Sequence, residues 1–536
     1  MLNIKLLDCT LRDGGYLVDA EFGDTTIKGI ICGLLESNID IIECGFLKNE
    51  EHKLGTTIYN NISQVKEYLP KDTKKASFVL LADYSRYSIS NLENYDGGAI
   101  DGIRACFFKD ERYEVIDFCR EIVKKGYKLY VQPVDILGYS DKELIEFIEM
   151  VNPLEPYAFS IVDTFGSMYK SDLQRVFYLI NNNLTKTSSI GFHSHNNLQM
   201  SFALSQEFVE FSQGLRNVII DSTICGLGRG AGNTNTELML QYMNKKFNAN
   251  YDIDIILDLI DNYIESIKAR CEWGYSIPYY LAGSYSAHVN NISYLIKKAS
   301  ISSKDMRFIL NKIGSTNRKR YDYNLLEKTY VEYVNTFKDD SKEKHILKQI
   351  FMGRDILIIL PGKTLVTFES VILKYINEYN PIVISVNIII DKYKIDYIYF
   401  SNRQRYNYWK HDSRYKRYKK IITSNISKNT IEDEISVDFG KLVKCGWEQL
   451  DNSGILLLRL LDLFNVNSIA LAGFDGYNNA YYDNYARQEL ERKLDFISSE
   501  NANRELLSML EEYKATRQSK CKISFITPSK FQEVFK

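Results

Sequence analysis

Leu6–Tyr16 reads LLDCTLRDGGY. An apolar run containing Ile4, Leu6 and Leu7 stops at Asp8, and Thr10, Arg12, Asp13 and two glycines follow. A buried strand ending in two acids and a guanidinium is either a solvated turn or one wall of a site that later strands complete. A dinucleotide-binding fold would carry GxGxxG at its first strand-to-helix turn, and here the turn carries RDGGY. Further strand candidates follow at 39–46 (IDIIECGF), 76–82, 101–107, 127–133, 157–162, 190–195 and 217–224. Amphipathic stretches at 24–37, 56–68, 111–125, 140–151, 168–182, 197–213 and 234–246 separate them. Eight strands alternating with helices predict a (β/α)8 TIM barrel over 1–250 rather than an open sheet.

The 536-residue chain exceeds one ordinary core. Residues 251–345 read as a helical extension, with SKEKH (341–345) as a linker. Residues 350–536 read as a second, Rossmann-like α/β domain, with strands at DILIILPGKT, PIVISVN, 396–400, 419–423 and 467–472. The tyrosine-rich Arg403–Lys420 is expected to be an exposed helix or loop. A net charge of -2 gives no electrostatic case for nucleic acid or an acidic membrane surface. Nine scattered cysteines without a CxxC pair argue against a thiolate zinc site and fit a reducing compartment. No apolar run reaches the roughly 18 residues of a membrane span. The expectation is a cytoplasmic protein.

A barrel collects the carboxyl ends of its strands at one mouth. Asp8, Arg12 and Asp13 come from the first strand, Glu43 from the second, Gln132 from the fifth and Thr164 from the sixth. HSHNN after the seventh supplies His193 and His195, and GLGRGAGN after the eighth supplies Gly228 and Asn233. Two histidines two residues apart at a strand end share a face. With Asp13 they make a site of two nitrogens and one hard oxygen, suited to a divalent ion with positions left open. The bland alternative, that HxH caps a turn or packs in the barrel, loses ground once RD and the glycine loop join it.

DCTLRDGGY, IIECGF, DTFG, GFHSHNN and GLGRGAGNTNTE, in that order, resemble the pyruvate aldolase and acyl-CoA lyase/synthase superfamily. LAGSYSAHV (281–289) extends the likeness towards the 4-hydroxy-2-oxovalerate aldolases. The resemblance implies a lyase acting through a pyruvate enolate on a 2-oxo acid and an aldehyde or sugar aldehyde. It implies a divalent ion, Mn or Mg before Co or Zn, on Asp13, His193 and His195 with Asn233 nearby. Arg12 would stabilise the enolate. Glu43 would order Arg12, or stand as a buried ion-pair residue without a catalytic part. Asp8, Gln132, Thr164 and Gly228 would line the substrate. A homodimer is implied by the resemblance alone.

Two departures stand out. Tyr16 occupies the position of a histidine base, so Tyr16 itself, Tyr285 or His288 is a candidate to replace it, and His288 packing in a helix bundle is the alternative. Gly230 stands where the lyases carry a cysteine, which excludes that cysteine's mechanism. The loop wording also keeps an acetyl-CoA condensation open, and a barrel retained as a scaffold is the non-catalytic alternative.

In the last domain LPGKT (360–364) lacks the first glycine of a phosphate loop. A loop before a helix still admits a nucleotide or phosphate ligand through its N–H groups, and a tight turn into helix 364–378 is the alternative. FSNRQRY and NSGILLLRLLDLF with IALAGFDGY resemble a Rossmann-like transferase domain of surface-polysaccharide loci. Lys363, Asn387, Asn402 and Asp475 are its candidate site residues, and the fusion implies a bifunctional enzyme in polysaccharide precursor synthesis.

Overall fold

The computed structural model describes residues 4–73, 75–296, 301–334, 338–426, 433–444, 446–447, 451–478, 484–487 and 496–536. Two compact units form, Met1–Ile292 with Gly314–Tyr321, and Ser293–Ile313 with Asp322–Lys536. The helical stretch 251–345 is thus shared between them.

The first unit is an eight-stranded parallel barrel. Its strands are β1 Ile4–Asp8, β2 Ile41–Leu47, β3 Ser77–Asp83 and β4 Ile100–Phe107, then β5 Lys128–Pro133, β6 Ala158–Asp163, β7 Ser189–Ser194 and β8 Val218–Ser222. Each pairs with the next, and β1 closes the ring by pairing with both β2 and β8. Strands buried on both faces read as near-continuous apolar runs, which is why all eight stand out in the sequence. Helices Asp24–Glu36, Val115–Lys124, Asp141–Val151, Lys170–Asn183, Ser201–Ser212 and Thr236–Phe247 cover the barrel with their apolar stripes inward. The expected helix over 56–68 does not form. A two-residue strand, Ile58–Tyr59, and a 3-10 turn, Ile62–Tyr68, take its place, with Asn61 and Gln64 making a reciprocal cap.

The second unit holds a seven-stranded, wholly parallel sheet. Its strands are β9 Asp355–Ile359, β10 Ile382–Val386, β11 Tyr397–Phe400, β12 Lys419–Thr423, β13 Glu434–Val437, β14 Ser468–Ala472 and β15 Lys522–Phe525. They lie in the order β13-β12-β11-β10-β9-β14-β15. The order reverses between β9 and β14, which is the place where open α/β sheets bind ligands. SKEKH is no linker: it opens helix Ser341–Phe351, which buries Leu347 and Phe351. Arg403–Lys420 also differs from expectation. Helix Arg403–Trp409 and the turn after it bury Tyr406, Trp409 and Tyr415 in the core beside Phe400, leaving Lys416, Arg417 and Lys419 outward. No helix among the described residues is long and apolar enough to cross a membrane.

Trp409 is fully buried and its Nε1 donates to Asn387 O at 3.1 Å. Trp409→Ala is expected to destabilise the C-terminal sheet by about 3–5 kcal/mol through the cavity it leaves. Amide hydrogen exchange should then quicken in β11 and β12 while β1–β8 exchange as in the unaltered protein.

Candidate active site at the barrel mouth

Cys9 N donates to Ser222 O, and Thr10–Asp13 then coil into one short helical turn. That turn brings Arg12 and Asp13 back over the barrel axis, where both are buried. Arg12 Nε donates to Glu43 Oε2 at 2.8 Å, and Arg104 from β4 lies 2.9 Å from the same oxygen. Arg104 also pairs with Asp221 of β8, and Asp221 Oδ2 stands 3.0 Å from His193 Nδ1. His193 Nε2 lies 3.2 Å from Asp13 Oδ2, and Asp13 Oδ1 lies 3.3 Å from Arg12. The charges therefore form one closed, buried circuit.

That circuit fixes protonation. Burial opposes the charge on Asp13, but Arg12, His193 and His195 outweigh it and hold the carboxyl well below its usual range. Burial likewise opposes the charge on Arg12, which Glu43 and Asp13 restore. Burial pulls His193 down, while Asp13 and Asp221 bring it above the ordinary imidazole value. His195 goes the other way, lowered by burial. Its Nδ1 donates to Asp163 O at 2.9 Å, so the lone pair is on Nε2, 3.6 Å from Asp13 Oδ2.

Two imidazoles thus have Nδ1 engaged and Nε2 beside one carboxylate oxygen, the arrangement in which outer partners orient metal-binding histidines. Asn233, next to His195 through a backbone bridge, has a buried Oδ1 with no hydrogen-bond partner among the described residues. Gly228 makes room for it, because a Cβ there would stand 2.2 Å from Asn233 Nδ2. Cys9, Asp13 and His193 bring one ligand atom each within 4.8 Å of one another. Burial keeps the Cys9 thiol protonated and its Sγ faces Ser222 O, so His195 is the better third donor for a hard ion.

Other candidates fall in different places. Asp8 is fully buried, with its oxygens accepting from Thr10 N and the Thr236 hydroxyl, so it ties β1 to the start of helix Thr236–Phe247. Gln132 is buried and donates to Ser160 Oγ, and Thr164 Oγ1 accepts from Asp135 N. Tyr16 lies edge-on to Phe46 with the Arg229 guanidinium 3.8 Å over its ring. Burial raises its phenol above the ordinary value despite Arg229 and Arg12, so the depression that a base would need is not there.

Tyr285 packs with Arg318 over its ring at 5.4 Å. Burial, then Arg229, His195 and Arg86, push His288 down to about 3. Its Nδ1 accepts from Asn290 N at 3.1 Å, so the neutral ring carries its proton on Nε2 and offers a hydrogen bond rather than a free lone pair.

Sequence reading passed over Arg104, Asp221 and Arg229. The first two had a signal: a charge inside an apolar barrel strand must find a partner.

In the second unit Asn387, Asn402 and Asp475 line one cavity, and Lys363 does not. Asn402 caps helix Arg403–Trp409 through Arg405 N. Asp475 accepts from Thr364 N at 2.8 Å and from the Thr364 hydroxyl. A carboxylate already fills the turn of LPGKT, which removes the phosphate-loop reading.

Part of the barrel is similar to known aldolases and lyases. Residues 105–262 match the HMGL-like family model. An oxaloacetate decarboxylase of Mycobacterium tuberculosis is 27% identical over 47% of this chain and 74% of its own length. A 4-hydroxy-2-oxovalerate aldolase of Moorella thermoacetica is 25% identical over 57% of this chain and 90% of its own. The solved HMG-CoA lyase of Brucella melitensis is 13% identical, covering 50% of this chain and 100% of that one, with a TM-score of 0.40.

Burial raises Asp163 from 3.8 to about 7, although Ser167 and Met168 N–H groups bond its oxygens. A carboxyl that holds its proton more tightly folded than unfolded loses its stabilising share as pH rises from about 4 to about 7. In metal-free buffer, the stability of the unaltered protein relative to Asp163→Asn should therefore fall over that window, read from urea unfolding of both at pH 5 and pH 8.

Proposed function

We propose that the barrel is a divalent-metal-dependent carbon–carbon lyase that works through the enolate of a pyruvate unit. Asp13, His193 and His195 would hold the ion, with Asn233 beside them. When bound, such an ion supplies Lewis-acid polarisation of the 2-oxo acid carbonyl. With His193 neutral, as a metal ligand must be, two guanidiniums face three carboxylates and the circuit carries one negative charge in excess, which favours a cation at this point. The orphaned Asn233 Oδ1 favours it too.

The observation that carries the reading is Arg12. Its Nε is committed to Glu43 while NH1 lies over Asp13, so the guanidinium is fixed and desolvated beside the ligand atoms. A donor held in that way stabilises negative charge as it develops on the keto oxygen, at no cost in reorganisation. Glu43, Arg104 and Asp221 are positioning residues: they hold Arg12 and the His193 ring. His288 would donate from Nε2 to an oxygen of the substrate, and Tyr16 would give its proton to the enolate carbon and recover one from solvent. The phenolate left in between would run the same transfer backwards, which is what methyl-proton exchange reads.

An aldol cleavage, with an aldehyde or sugar aldehyde as the other product, is the leading reading. A second has a specific observation in its favour. Decarboxylation of a 2-oxo acid needs the enolate stabilised and then protonated, and needs no base. Tyr16 in its protonated state suits that sequence, and the M. tuberculosis relative is named for it.

The test is exchange of pyruvate methyl protons in deuterated water with Mn or Mg, followed by NMR. Exchange should require the metal and should fall by about 10²–10³ in Arg12→Ala, the effect of losing one oxyanion donor. Exchange that is missing in the unaltered protein, or that survives Arg12→Ala and His193→Ala, rules the enolate reading out. A requirement for acetyl-CoA would favour the condensing synthase.

Asp221→Asn tests the outer partners separately. It removes the charge behind His193 and is expected to weaken Mn binding by about 10–100-fold, measured calorimetrically without substrate.

A further inference from the structure

A cavity of about 420 Å³ lies at the carboxyl ends of β9, β10, β11 and β14, where the order of the C-terminal sheet reverses. Small-molecule sites run to about 300–1,000 Å³ and favour this place in an open α/β sheet.

The wall has unused hydrogen-bonding capacity at one spot. Asn387 follows β10 directly with φ at 58°, and its Nδ2 donates to Ser453 Oγ at 2.8 Å. Ser401 Oγ donates to the same oxygen at 2.7 Å. Two incoming bonds fill both lone pairs of the Ser453 hydroxyl, so its proton is left to give away. No bond donated by Ser453 Oγ occurs among the described residues. Asn387 Oδ1 is buried and has no partner there either. Side by side, the protein leaves one acceptor and one donor unspent. A hydroxyl group answers both, because it donates and accepts through one atom.

The charges and rings of the wall narrow the ligand. Arg405 and Asp475 are opposite in sign, and Asp451 pairs with Arg459, so the wall holds no excess positive charge for a polyphosphate. Phe439, Phe474 and Phe531 give apolar faces opposite to the polar spot in chemistry. A ring with hydroxyls on its edge and C–H groups on its faces meets both demands.

We propose that this cavity binds the hydroxylated ring of a sugar, carried as a sugar monophosphate or as the ribose of a mononucleotide. Asn387 and Ser453 read the ring hydroxyls, and Arg405 faces the single phosphate. This site is independent of the barrel reaction.

Calorimetric titration of the full-length protein tests it, with AMP, GMP, CMP, UMP, ribose 5-phosphate and glucose 6-phosphate as probes. Saturable binding of a mononucleotide alone assigns the ribose source, and binding of a sugar phosphate alone assigns the other. For the probe that binds, the 2′,3′-dideoxynucleotide or the matching deoxysugar phosphate is expected to bind about ten- to a hundredfold more weakly. Asn387→Gly, which keeps the positive φ without strain, and Ser453→Ala should each weaken binding to a similar degree. The deoxy comparison needs no variant, so it stands even if one of these fails to fold. Failure of every probe to bind in the millimolar range overturns the proposal. So does equal affinity with and without the hydroxyls, or displacement of the probe by inorganic phosphate alone.

Discussion

The barrel mouth is organised by a buried ring of alternating charges, Arg12–Glu43–Arg104–Asp221–His193–Asp13, drawn from β2, β4, β7, β8 and the turn after β1. Each ion alone would be costly to bury, and removing one partner from such a pair costs about 3–5 kcal/mol. Closed into a circuit, every charge has an opposite neighbour on each side. The geometry this imposes is narrow. Arg12 cannot swing away without parting from both Glu43 and Asp13, and the His193 ring cannot rotate without parting from Asp221. Precision at the mouth is thus a by-product of electrostatic necessity among buried charges.

The same constraint explains which parts were legible in the sequence. Asp13, His193 and His195 lie at strand ends, where polar residues interrupt apolar runs, and barrel topology alone is enough to collect them at one mouth. Arg104 and Asp221 sit inside IDGIRACF and VIIDS, where periodicity classes the whole run as core. Their signal was the opposite of a strand end: an unexplained charge where none should lie. Asp8 misled for the complementary reason, since a carboxylate at a strand end looks like a site residue until its two threonine partners are seen.

Local chemistry also set the limits in the fold. The connection over 56–68 has helical spacing of apolar residues, yet Asn61 and Gln64 cap a tighter turn and Thr57 bonds back to Leu11 O. Strands β13 and β15 are four residues each with at most two buried, unlike the wholly buried four of β11, so no apolar run marks them. Arg403–Lys420 is basic enough to read as surface, but Tyr406, Trp409 and Tyr415 fill the core while Tyr408 stays exposed. LPGKT failed as a phosphate loop because Asp475, 111 positions further on, already accepts from Thr364. A sequence motif specifies a backbone shape, and only the fold says what occupies it.

Tyr16 brings the chemistry into focus. The family resemblance leads one to expect a base at this position, and the phenol instead lies under Arg229, with burial raising its pKa. A nearby cation ordinarily helps a phenol ionise, and here desolvation outweighs it. His288 is neutral too, with Nδ1 held by Asn290 N–H. Arg12, Tyr16 and His288 are therefore all donors in the resting site. In the proposed reaction such a set favours the half that accepts charge on the keto oxygen and returns a proton to carbon. It disfavours any step that must first strip a proton from an alcohol. An aldol cleavage must draw its base from the substrate or from a solvent molecule, whereas a decarboxylation needs none, and that asymmetry is written in the protonation of three side chains.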